Sequence, residues 1–260
     1  MDDRTQDLRE ALRAALHEDP SVRQEAAIRL GTLAGPATAG ELVALLVSEP
    51  DFFVRESLTW AVVRQSEAAL PHLLRALEGG APSRVQVLHA LSKIQDPSAV
   101  ERILPLADDP DPAVAAKAWW ALGRTGTSEA VPALMAHLGD PDEARRHELT
   151  RALEQLGAPA VPELAARLRA GDPVQRRHAA EVLMVVGDPD ARPAVDALVH
   201  AVEHDDKEVA LVAVEALARL EVPEVDEALR RLRGSADRWL AIIADWLLSD
   251  RAERRQGGPG

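Results

Sequence analysis

Two dipeptides carry the side chains best suited to chemistry. His17-Glu18 and His147-Glu148 each set an imidazole beside a carboxylate, the donor types of a non-haem iron centre. Such a centre needs several converging ligands, and one pair supplies too few. There is no cysteine, which excludes disulfides, thiolate metal sites and cysteine nucleophiles. No Gly-rich phosphate loop, no Gly-x-Ser-x-Gly elbow and no spaced metal-ligand cluster appears. The paired carboxylates Asp108-Asp109 and Asp205-Asp206 fall where turns between helices are expected, and read as helix caps and solvated charge. The sequence therefore predicts no catalytic residue, no metal site and no cofactor. Its function should lie in binding.

Composition narrows the partner. The formal charge is -13, from 43 acidic against 30 basic residues, and each half of the chain is acidic. Nucleic acid, which is held by clustered Lys and Arg, is not expected. The opening MDDRTQDLRE has no apolar core, and no run of 18 apolar residues occurs, so no membrane partner is expected and the chain reads as cytoplasmic. Hydrophobic residues make up 47% of the chain but aromatics only 3%, so the core must be Leu, Val and Ala in close-packed helices.

The elements that position everything else repeat. Leu30, Val62, Leu91, Leu122, Leu153, Leu183, Leu217 and Leu247 mark equivalent places about 30 residues apart. Four residues earlier come Ala26, Leu58, Val87, Ala118, Leu149, Ala179, Ala213 and Ile243, giving the stripe of an amphipathic helix. Eleven residues before the marker stand Asp19, Asp51, Asp111, Asp142, Asp172 and Asp206, often followed by Pro. This predicts an Asp N-cap with Pro at the first helical position. A second signature, Val131-Pro132, Val161-Pro162 and Leu70-Pro71, marks the first turn of a preceding helix. Gly126, Gly157 and Gly187 follow the marker helices as left-handed C-caps. A pair of helices cannot bury its apolar face alone, so about eight pairs must stack.

Period, Asp-Pro caps and the Arg-x-x-Ala-x-x-Ala-Leu-Gly pattern resemble the short bacterial HEAT-like repeats, as in the phycobilisome-lyase HEAT-like family. The resemblance covers about residues 5–249. It implies an all-α fold, a right-handed α-solenoid of about eight helical pairs, as a single domain of residues 1–249 with a disordered tail of residues 250–260. It also implies that Arg23, Arg55, Arg84, Arg146 and Arg176 tie neighbouring repeats together through acidic partners. Ala115, Ala210 and Leu240 break that series. The fold is shared with bilin lyases, DNA alkylation glycosylases and a di-iron hydroxylase that carries His-Glu pairs on repeated second helices. Only His147-Glu148 matches that last placement here. Trp239 and Trp246 fall on core positions of the final repeat and should close its end.

A solenoid offers a concave wall of second helices, and the residue two before each marker points most nearly away from the core. That row is Ile28, Trp60, His89, Trp120, Arg151, Glu181, Glu215 and Asp245, apolar or aromatic at first and charged later. Trp is enriched at binding hot spots. The expected partner surface is accordingly Phe52, Phe53, Trp60, His89, Trp119 and Trp120, with Arg151 and Glu181 setting orientation. The reading is a non-enzymatic scaffold or adaptor for a protein or peptide partner. The alternatives are a HEAT-like enzyme or lyase-type chaperone for a small-molecule-bearing client and, less favoured, a nucleic-acid binder.

Overall fold

A computed structural model describes residues 3–204 and 206–257. Among them are sixteen α-helices and no strand: α1 (Asp3–Ala14), α2 (Pro20–Leu33), α3 (Ala39–Ser48), α4 (Phe52–Val63), α5 (Ser66–Ala76), α6 (Ala81–Ile94), α7 (Val100–Ile103), α8 (Pro112–Thr125), α9 (Val131–Met135), α10 (Glu143–Leu156), α11 (Val161–Ala170), α12 (Pro173–Val186), α13 (Val195–His204), α14 (Lys207–Ala218), α15 (Pro223–Arg233) and α16 (Arg238–Gly257). Odd-numbered helices are the first, even-numbered the second, of eight pairs. No helix of the described residues is long and apolar enough to cross a membrane.

The eight marker residues are all buried, none more than 3% exposed. The residues four before them are buried as well, except Ile243. The caps follow the Asp series. Asp19, Asp51, Asp111, Asp142, Asp172 and Asp206 each accept from a backbone N–H in the first turn of their second helix. These bonds satisfy donors that the helix itself leaves unpaired. At the other ends Gly157 (φ 67, ψ -136) and Gly187 (φ 62, ψ -163) occupy a backbone region that a Cβ would forbid.

The helices fall into two compact units, one ending at Thr125 and the other beginning at Gly126. In the first, α2 stacks on α4 and α6 on α8, while α3 packs on α5. In the second, α12 stacks on α10 and α14, and α13 on α11 and α15. Several first helices are preceded by a 3-10 turn, as Ser128–Ala130 leads into α9.

Four expectations need correction. Pro71 does not open a helix; it lies inside α5, which starts at Ser66 after Gln65. The Gln65 side chain donates to Ala34 O at 3.0 Å, anchoring that earlier start. Residues 250–257 are no loose tail, because α16 runs on to Gly257; residues 258–260 and Asp205 lie outside the described residues. What holds α16 is Arg251, 1% exposed, whose Nε donates to Asp226 Oδ1 at 2.7 Å and whose Nη1 donates to Leu220 O at 2.7 Å. Burial pushes the Asp226 carboxyl up, but hydrogen bonds from Arg255 and Arg251 outweigh it and hold the carboxyl below its usual range.

The third correction concerns the end cap. Trp246 is 64% exposed and Trp239 only half-buried. The last helix turns Ala244, Leu247 and Arg251 inward, and its N-terminal cap is Asp237, one residue later than the repeat spacing places it. That one-residue slip rotates both Trp side chains off the core. The fourth is the Arg series. Arg23, bonded to Glu49 through Nε and Nη2 at 2.8 Å, and Arg84, bonded to Asp109, reach an acid in the next repeat. Arg55, Arg146 and Arg176 donate to carbonyls of the turn just before their own helix. The acid two residues before the next N-cap is present at Glu49, Asp109 and Asp140, yet Asp140 follows Ala115 and pairs with Arg145. Arg and acid coincide in two repeats.

Candidate binding face

In the first unit, the outward row of second helices begins with apolar surface. Phe52 and Phe53 are 58% and 65% exposed at the start of α4, their rings edge to face with centroids 5.5 Å apart. Ile28 of α2 is exposed as well. Trp60 is 43% exposed, and its place is made by a missing side chain: a Cβ on Gly31 would fall 1.9 Å from the Trp60 ring. Part of the ring therefore covers the α2 backbone while the rest meets solvent. Arg64 completes the arrangement. Its Nε donates to Gly31 O at 2.7 Å, serving a carbonyl in the last turn of α2, and its guanidinium lies over the Trp60 ring, 5.2 Å from the centroid.

The motif recurs two repeats on. Trp120 is half-buried with Arg124 over its ring at 6.0 Å, the same i, i+4 spacing. Between them, α6 presents His89 and Lys93 in the equivalent places. His89 Nε2 lies 3.0 Å from Glu56 Oε1. Burial lowers the His89 pKa, Glu56 opposes it, and Lys117 and Lys93 lower it further. Near pH 7 His89 is therefore mostly neutral.

Trp119 leaves the predicted surface. It is fully buried and its Nε1 donates to Ala107 O at 3.0 Å. Three residues before the marker, it is turned about 60° from the core centre of α8, and its indole N–H finds a carbonyl there. Arg151 and Glu181 belong to the second unit. Arg151 lies 3.7 Å from Glu148, and Glu181 accepts from Arg177 at 3.1 Å beside a cleft of about 270 Å³. Both carboxylates already have partners.

Sequence reasoning missed His178, which that cleft also touches. It is 1% exposed: Nδ1 accepts from Gly139 N–H at 2.9 Å and Nε2 sits 2.9 Å from Thr150 Oγ1. Burial, then Arg146, pushes its pKa down to about 4. The Nδ1 bond fixes the neutral tautomer with the proton on Nε2. The sequence carried no signal for it, because the same offset is polar in most other repeats, as at Glu25, Gln86 and Lys117. His147, by contrast, is exposed, and His17 Nδ1 accepts from Asp19 N–H at 3.0 Å. Among the described residues no group of three or more His, Asp or Glu side chains is placed to hold a metal ion.

The chain matches the profile of HEAT repeats over residues 2–63, 70–154 and 161–248, and it belongs to that family. Its fold is the α-solenoid of helical pairs. Among solved structures it is similar to the karyopherin Kap121p bound to the extreme C-terminus of the protein phosphatase Cdc14p, with a TM-score of 0.59 and 17% identity over 97% of this chain and 34% of that one. It is also similar to an archaeal HEAT-like repeats protein from Thermococcus onnurineus NA1, with a TM-score of 0.50 and 14% identity over 81% of this chain and 95% of that one. Human deoxyhypusine hydroxylase aligns at 20% identity and a TM-score of 0.42, over 95% of this chain and 96% of that one. No curated protein matches the chain.

Proposed function

We propose that this chain is a non-enzymatic scaffold that binds a protein partner across the second helices of its first unit. The observation that carries the reading is the row of Phe52, Phe53, Ile28 and Trp60, four large apolar side chains left 43% exposed or more in a chain with only seven Phe and Trp residues. Exposed apolar surface of this kind marks interaction sites. The Trp60 ring is fixed on one side by Gly31 and Arg64, so little side-chain entropy is lost when a partner covers the rest. That the similar karyopherin Kap121p is bound to the extreme C-terminus of another protein supports a protein partner for this solenoid.

The test is capture of a partner from cell extract by the immobilised chain, repeated with Phe53→Ser and with Trp60→Ala. Phe53 is 65% exposed, so its loss should leave helicity intact and cut the captured partner about tenfold. Equal capture by all three proteins would sink the reading.

A further inference from the structure

Helix α16 presents a face that the described residues leave open. Its inward residues are Ala244, Leu247 and Arg251. On the opposite side Arg238, Ile242, Ser249 and Glu253 fall within an arc of about 60°, with Trp246 on its flank. All five are exposed, Ile242 by 59% and Trp246 by 64%. Two large apolar side chains so placed mark a contact surface. The charges beside them indicate what covers it. Several ionic side chains of the helix are already engaged, Asp250 with Arg254, and Arg251 and Arg255 with Asp226. Arg238 and Glu253, one at each end of the open stripe, have no partner among the described residues. They stand about 23 Å apart along the helix, too far to meet each other within one copy.

The stripe is complementary to itself. The point midway between Arg238 and Glu253 falls between Asp245 and Trp246, and it is also midway between Ile242 and Ser249. An antiparallel copy related by a two-fold axis at that point sets Arg238 against Glu253 twice and Ile242 against Ser249 twice. The two Trp246 side chains meet at the axis. A small residue opposite a large one lets the helices approach to about 8–10 Å. The Ser249 hydroxyl already donates to Asp245 O at 3.0 Å, so it needs no water once Ile242 of the second copy covers it. The two Asp245 side chains also come near the axis, and each brings its own Arg233 at 3.8 Å. We infer that the open face of α16 is a self-association surface, on which a second copy of this chain docks antiparallel about a two-fold axis between Asp245 and Trp246. It uses other residues than the proposed face of the first unit and stands or falls without it. One stripe about 23 Å long buries less than the ~800 Å² that each partner gives a standard interface, so the dimer should be weak, with a Kd of about 10–100 µM.

Sedimentation velocity of the full chain from about 1 to 500 µM, with any tag kept at the N-terminus, tests this. The native protein should pass from monomer to dimer across that range. Arg238→Glu and Glu253→Arg should each weaken the dimer at least about fivefold with helicity unchanged, since either one places two like-charged pairs across the axis. Both changes in one chain should restore association to within about twofold. The two single variants, mixed, should form a heterodimer, because every facing pair then has opposite signs. Trp246→Ala should weaken the native dimer about tenfold. A chain that stays monomeric throughout overturns the inference. A dimer that neither charge reversal weakens lies on another surface and overturns it as well. So does failure of both the combined variant and the mixture to recover association. If the chain stays monomeric yet loses a protein captured from cell extract on Trp246→Ala, the stripe belongs to a different partner and the inference again fails.

Discussion

His178 shows how one side chain couples the stability of a repeat to pH. Its Nδ1 must stay unprotonated to accept from Gly139, so the fold favours the neutral ring and its pKa drops from 6.5 to about 4. A group with a depressed pKa of this type contributes fully above pH 6.5, and the contribution is lost as pH falls toward 4. The facing charges oppose each other, Arg146 lowering and Asp140 raising the value. Protonation should cost about 3 kcal/mol across that window. Thermal unfolding followed by circular dichroism should give a Tm that drops more steeply between pH 6.5 and 4 than that of His178→Gln, which keeps an acceptor and a donor without titrating. Parallel curves would refute the account. Nothing in the spacing of His178 betrayed this role. Its offset, five before the marker, holds exposed Glu25 in another repeat, and only packing between α10 and α12 makes it interior.

At the scale of elements, helix starts were legible because an N-cap is a local event. An Asp followed by a turn of helix satisfies its own backbone donors wherever it stands, and all six predicted Asp residues do so. Asp172→Ala should therefore cost about 1 kcal/mol in urea unfolding. Helix ends and rotations were less legible because tertiary partners decide them. Gln65 moved the start of α5, and Asp237 turned α16 by one residue. The clearest case is Arg251, read as part of a polar tail because its partners Asp226 and Leu220 O lie on and before another helix. Arg251→Ala removes one of the two guanidinium partners of a buried carboxylate, leaving Arg255, and frees the carbonyl of Leu220; it should destabilise the last pair by about 1–3 kcal/mol, whereas Arg251→Met with Asp226→Leu should recover much of it. Loss of helical signal before the main unfolding transition would report the single variant. Full stability in it would contradict the proposed anchor.

For the molecule as a whole, the repeat was readable from its period alone, since each pair buries its apolar stripe against neighbours and nothing else need be known. The proposed binding face was readable only in part. Trp60, Trp120 and the Phe pair stand where helical angle placed them, but Trp119 is interior. In a stack whose stability is a sum of neighbour terms, damage at one junction should loosen cooperativity as well as strength. Gly31→Ala forces the Trp60 ring off α2, and we expect a loss of about 1–3 kcal/mol with a shallower urea transition and red-shifted tryptophan emission. An unchanged m-value and emission maximum would show that the ring is not seated there. Gly31 touches no partner, yet its hydrogen atom decides whether an indole can stand at the surface one repeat later. The exposed surface of this array can thus drift by changes at silent interior positions, so a search for what distinguishes its relatives should compare the small residues beneath the proposed face before the aromatic ones upon it.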